Sequence, residues 1–159
     1  MDETQKAEIE ALMQQHDART GKRADDQRAD DEFATAFGRL RHEVIKPAME
    51  QIVQQLKAGG HHAAIGDANP TPAKTGKKDC ATTIRLEILP SGTIRDRYGK
   101  NDLPGVTFTI EPGMRVGVYS RSGRPDEEHA AGPMRRFRLS EVTPEMVTTE
   151  IVEVLRKTF

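Results

Sequence analysis

Five histidines are the residues of this chain whose chemistry first suggests metal binding, and their spacing argues against it. His61 and His62 are adjacent, so on a strand they would point to opposite faces and could not easily bind one ion. No two histidines have the i, i+4 spacing of a metalloprotease helix, and the single Cys80 forms no Cys-x-x-Cys pair. We therefore predict no metal site at any of the five positions, which are His16, His42, His61, His62 and His129.

Other side chains that commonly perform catalysis also lack the necessary neighbours. Cys80 opens a predicted strand with no histidine placed to activate it, and paired carboxylates such as Asp25-Asp26 lie in polar stretches where nothing would raise their pKa. The segment 74–79, KTGKKD, lacks the first glycine of a phosphate loop and has Lys78 where that motif has Ser or Thr. We predict no catalytic residue and no cofactor, with an enzyme assembled at a dimer seam kept as a third alternative.

The arginines form the first pattern that could bind a ligand. Alternation along three predicted strands places a set of cationic side chains and one aromatic on the same solvent face, namely Arg85, Arg115, Tyr119, Arg136 and Arg138. Arginine beside an aromatic ring is typical of surfaces that bind single-stranded nucleic acid or another anionic ligand. Glu87 and Glu111 are expected on that face too, so the alternative is an ion-pair lattice that binds nothing and discourages edge-to-edge aggregation.

The strands that would carry these side chains follow from period-two hydrophobicity. Apolar and polar residues alternate over 82–88, 106–111 and 114–119, and the Pro112-Gly113 turn predicts that the last two form a hairpin. Weaker strands are expected at 61–66 and 134–140. This pattern favours an antiparallel sheet of four or five strands with one face in water.

Two helices are predicted to pack on the sheet. In 33–58, which we expect to begin at an Asp31 cap, one apolar set starts at Phe33 and a second, shifted by one residue near Pro47, starts at Ile45. In 144–158, Thr143 is the expected N-cap, Pro144 is the first helical residue, and Val147, Ile151, Val154 and Leu155 form the buried side. The predicted class is α+β.

Residues 1–32 differ from the rest in composition. They hold two of the 31 Leu, Ile, Val and Phe residues, and only Ala7, Ile9, Leu12 and Met13 give them a thin apolar face. We predict a polar, weakly ordered arm over 1–32 and a single α+β domain over 33–159. The net charge of −1 and the mildly basic centre are far weaker than the basic surface expected of a dedicated nucleic-acid binder.

The helix over 33–58 suggests a partner. Its 26 residues span about 39 Å, which exceeds the roughly 34 Å diameter of a compact domain of about 100 residues. We therefore predict a non-enzymatic homodimeric interaction module, with Phe37, Leu40, Ile52 and Leu56 at the dimer interface. The alternative is that this stripe packs along the chain's own sheet. Nucleic acid is a less favoured partner, no membrane span is expected, and the predicted location is cytoplasmic.

Overall fold

The computed structural model describes residues 2–66, 83–92, 103–121 and 135–159. These residues form three α-helices, α1 (Glu3–Leu40), α2 (Lys46–Ala58) and α3 (Pro144–Thr158), and five strands between α2 and α3. The chain divides into two compact units, Met1–Phe33 and Ala34–Phe159. The predicted α+β class, with an antiparallel sheet, a long N-terminal-side helix and a C-terminal helix, is confirmed.

The first unit is helical from Glu3 onward. Asp2 caps the helix, since its side chain accepts a hydrogen bond from the Thr4 backbone N–H at 3.2 Å. The helix then runs through Asp31, the residue that was expected to be its N-cap, because 18–32 contains no proline to interrupt it. Nearly every side chain from 2 to 32 is exposed. The weak order of this arm in solution stays a prediction.

A π-helical turn, Arg41–Ile45, joins α1 to α2. Pro47 lies in the first turn of α2 and has no N–H, so the regular hydrogen-bond ladder cannot continue through it. A π-turn adds one residue to the helical turn and rotates everything beyond it. The predicted one-residue shift of the apolar stripe coincides with this turn, because Ile45, the first residue of the second apolar set, is fully buried whereas the neighbouring Val44 is half-buried.

The five strands form an antiparallel meander in chain order. They are β1 (His62–Gly66), β2 (Thr83–Leu89), β3 (Gly105–Glu111), β4 (Arg115–Arg121) and β5 (Arg135–Phe137). The predicted hairpin is confirmed, because β3 and β4 pair from Gly105 opposite Arg121 to Glu111 opposite Arg115. Gly113 has a φ of 80° and Met114 a φ of 56°, the left-handed backbone conformations of that turn.

The core lies on one face of the sheet, which we call the inner face. α2 packs on β1, α3 packs on β3 and β4, and the two helices contact each other. The Thr143 hydroxyl caps α3 as predicted, accepting a hydrogen bond from the Met146 N–H at 3.2 Å. The strands contribute seven almost fully buried side chains to this core, namely Ile84, Leu86, Ile88, Val106, Phe108, Val116 and Val118.

The residues expected at a dimer interface are mostly part of the chain's own core. Phe37 is fully buried, Ile52 and Leu56 are each 8% exposed, and Leu40 is half-buried. The apolar stripe that runs from Phe37 near the end of α1 to Leu56 in α2 is therefore covered within one chain, as in the alternative stated above. A dimer contact through this stripe stays a prediction, and it would require these side chains to leave the core.

Candidate functional site

Four of the five residues predicted to bind a ligand lie on the outer face of the sheet, opposite the core. The strand register shows this directly. Arg85 and Tyr119 flank Thr107 from the two neighbouring strands, Arg136 is opposite Gly117, and Arg115 is opposite Glu111. Residues directly opposite in antiparallel strands share a face. Arg138 is different, because it follows β5 and caps a short 3₁₀ turn, Leu139–Glu141, with its backbone N–H bonded to Glu141.

Arg85 is held by two groups of the chain itself. Its Nη2 donates to the Leu103 carbonyl at 3.0 Å, and its Nε lies 3.3 Å from the Glu87 carboxylate. The Nε contact is an ion pair without hydrogen-bond geometry. Only 27% of the arginine side chain is exposed. An incoming anion would have to displace both groups, so Arg85 acts here as a tie between β2 and the segment before β3.

Tyr119 donates a hydrogen bond from its hydroxyl to Oε1 of Glu111 at 2.5 Å. Gly117 makes this contact possible, because a Cβ at that position would lie 2.5 Å from the Glu111 side chain that crosses it. The bond to Glu111 raises the pKa of Tyr119 above its ordinary value of 10.0, and burial and the glutamate charge act in the same direction. The positive charge of Arg136 opposes this shift.

Charges of both signs therefore alternate on the outer face. Arg115 is half-buried in register with Glu111, and Arg136 is exposed within electrostatic range of Tyr119. Thr83 and Thr109 add a hydroxyl–hydroxyl hydrogen bond of 2.9 Å between β2 and β3. The carboxylates of Glu87 beside Arg85 and of Glu111 opposite Arg115 lower the positive potential that a phosphate or nucleic acid would need. The geometry matches the lattice alternative better than a binding platform.

The inner face contains an ion pair that the sequence analysis missed. Arg135 is in register with Val118, and its Nη1 donates to Oε1 of Glu150 on α3 at 2.9 Å. Glu150 is 8% exposed, whereas the side chain of Arg135 is 60% exposed. The spacing along α3 could have indicated that Glu150 is buried. Glu150 comes three residues after Val147 and four before Val154, which places it on the same side of the helix as these two buried residues.

His61 is held by contacts with other residues of the chain. His61 accepts a hydrogen bond at Nδ1 from the Ser91 backbone N–H at 2.9 Å, and its ring meets that of Phe159 edge-on at 4.8 Å. No three metal-ligating side chains come together among the described residues. Three features weighed above, Cys80, His129 and the segment 74–79, lie outside them.

An exposed apolar patch is present on α1. Its members, Ile9, Leu12 and Met13, are 45%, 58% and 54% exposed, with His16 and Asp17 beside them. The spacing 9, 12, 13, 16 places them on one side of the helix. We call this surface the α1 patch. The sequence predicted which apolar residues form this face of the helix. Hydrophobic periodicity alone could not show whether the face would be buried or exposed.

Comparisons with protein-family models, curated proteins and solved structures find no match to this chain. Within the described residues, no helix combines the length and apolar character that crossing a bilayer requires.

Proposed function

We propose that this protein is a non-enzymatic interaction module that forms a homodimer through the α1 patch. The observation that supports this proposal is the exposure of Ile9, Leu12 and Met13, three large apolar side chains side by side in a part of α1, residues 3–32, that is otherwise polar. Single exposed apolar residues are ordinary, whereas a contiguous group on one helix face is typical of a surface that packs against another helix. A cytoplasmic location belongs to the same proposal, and a lone cysteine is consistent with it.

The apolar stripe that runs from Phe37 near the end of α1 to Leu56 in α2 is the weaker choice for the contact, for an energetic reason. Phe37, Ile52 and Leu56 are already removed from water in the single chain. Exposing them to reach a partner would cost about 1.5–3 kcal/mol each before any new contact formed. The α1 patch requires no such opening, because its side chains begin in water.

The size of the patch sets the strength of the proposed dimer. Three apolar side chains per chain give an interface smaller than the roughly 1,600 Å² of a standard stable complex. We therefore expect a weak association that depends on protein concentration. Mass action then links the dimer to concentration in the cell, as for many transient interaction modules.

Sedimentation velocity over a range of concentrations tests the proposal. We expect the mass to rise from 17.7 kDa toward twice that value with concentration, and the variant Leu12→Glu/Met13→Glu to remain monomeric. The matched control, Gln14→Glu/Gln15→Glu, adds the same charge to the opposite side of the helix and should still dimerise. A wild-type protein that stays monomeric at every concentration would contradict the proposal.

Binding of an anionic ligand at the outer face is the second candidate. It is favoured by Arg136 on the outer face and by Arg138, which follows β5; both are exposed, and neither side chain forms an ion pair with any described residue. Binding of a short fluorescent oligonucleotide should then weaken steeply with salt and be lost in Arg136→Ala/Arg138→Ala, but not in the control Arg156→Ala. No binding at low salt, or binding unaffected by the double substitution, would remove this candidate.

A further inference from the structure

Charge is distributed unevenly along the exposed part of α1. Residues 2–17 contain five acidic side chains and one basic side chain, whereas 18–24 contain three basic side chains and no acidic one. The α1 patch lies inside the acidic block, and the basic block follows about two turns after Leu12 and Met13. Two copies that met at the patch would therefore bring either like or opposite charges together, depending on their relative direction.

We infer that the partner of the α1 patch is the same helix of a second copy, running antiparallel, with its centre between Leu12 and Met13. This inference rests on the proposed function. Each residue then faces the one that lies equally far on the other side of the centre. Leu12 faces Met13 of the second copy, and Ile9 faces His16, so the apolar side chains meet in the middle.

The same arrangement pairs opposite charges at both ends. At about 100° per residue, Asp2 and Arg23 lie on the same side of the helix as Ile9 and Leu12, and both are exposed. In the antiparallel pair Asp2 of each copy faces Arg23 of the other. In a parallel pair each would face its own like charge, which is unfavourable.

The residues on the two flanks of the α1 patch also pair opposite charges in the antiparallel arrangement. Lys6 and Asp17 lie on one flank, and Glu8 and Arg19 lie on the other. Equivalent flanks meet in an antiparallel helix pair, so Lys6 comes beside Asp17 of the second copy and Glu8 beside Arg19. These exposed pairs are individually weak, and their main effect is to select the direction of the helices.

Disulfide cross-linking distinguishes an antiparallel pair of α1 helices from a parallel pair. In a Cys80→Ser background, proteins with Gln5→Cys and with Thr20→Cys are mixed and oxidised, because positions 5 and 20 face each other only in the antiparallel pair. We expect the 5–20 product to exceed the 5–5 and 20–20 products by about tenfold, a preference of about 1.4 kcal/mol. Ala11→Cys mixed with Gln14→Cys, on the far side of the helix, should cross-link poorly.

A charge exchange gives a second readout that needs no cysteine. Lys6→Glu should weaken the dimer about threefold or more, and Lys6→Glu/Asp17→Lys should restore the dissociation constant to within about twofold of the wild type. Dominant 5–5 and 20–20 products with a dimeric mass would overturn the antiparallel direction and leave the proposed function intact. A monomeric mass with no cross-linking would overturn both.

Discussion

Residues 3–32 of α1 and the helix α2 are both α-helical, but their environments are opposite. In α2, five of 13 side chains are buried, namely Ala48, Met49, Ile52, Val53 and Leu56. In 3–32 no side chain is buried. The first segment is helical through local effects such as the Asp2 cap, the Gln27–Asp31 hydrogen bond of 3.1 Å and good helix formers. The second is held by an apolar stripe on a sheet.

This difference indicates where the stability of the protein lies. Local helical interactions contribute a few tenths of a kcal/mol each, whereas a buried aliphatic or aromatic side chain contributes about 1.5–3 kcal/mol. The second unit should therefore unfold cooperatively, and residues 3–32 should open at much lower free energy. The same exposure that makes α1 marginal leaves its apolar patch available to a partner.

The largest expected effect contrasts one apolar side chain from each environment. Phe37→Ala removes a fully buried ring and should lower the free energy of unfolding by about 3–5 kcal/mol in urea titration. Leu12→Ala, at a position 58% exposed, should change it by less than about 0.5 kcal/mol when measured at a concentration that keeps the protein monomeric. A loss above about 2 kcal/mol for Leu12→Ala would show that the patch is buried in solution.

Two glycines give a smaller contrast. A Cβ at Gly105 would lie 2.2 Å from the Leu86 carbonyl oxygen, so Gly105→Ala must push β2 and β3 apart and should cost about 1–3 kcal/mol. A Cβ at Gly21 meets nothing within 4 Å, and Gly21→Ala should favour the helix by up to about 1 kcal/mol. Circular dichroism should show more helix in Gly21→Ala with an unchanged urea midpoint. A shifted midpoint would mean that the two units unfold together.

The outer face offers a spectroscopic test with a still smaller effect on stability. In a Tyr98→Phe background Tyr119 is the only tyrosine, and its phenolate absorbance should appear above pH 10 because Glu111 raises its pKa. The raised pKa favours the protonated folded form, so this contribution is complete below about pH 10 and is lost as pH rises through the pKa of folded Tyr119. Glu111→Gln should move the titration back toward 10. An unchanged titration in that variant would contradict the hydrogen bond between Tyr119 and Glu111.

The sequence predicted the parts of this fold that follow from the periodicity of apolar residues along strands and helices. Alternation located the strands and put Arg85, Arg115, Tyr119 and Arg136 on one face, and the offset stripes around Pro47 anticipated the π-turn. It could not place the start of α1, because a polar segment can be helical or irregular at little difference in free energy.

The contacts of the candidate site were harder to predict than its face. Alternation put Glu87 and Glu111 beside the arginines but could not show which carboxylate each cation meets. Arg85 pairs with Glu87, whereas Glu111 accepts the Tyr119 hydroxyl because Gly117 leaves room for it. Such choices depend on rotamers and neighbouring strands, which a single sequence does not specify.

We propose that self-association resides in the exposed residues 3–32 of α1 and not in the buried apolar stripe that runs from Phe37 to Leu56. Sedimentation velocity of a chain lacking residues 2–31, run beside the full chain at matched concentrations, tests it most directly. We expect the full chain to show a concentration-dependent dimer, and the shortened chain to remain a folded monomer with a melting temperature within a few degrees of the original. A shortened chain that still dimerises would contradict the account and return the contact to Phe37, Leu40, Ile52 and Leu56.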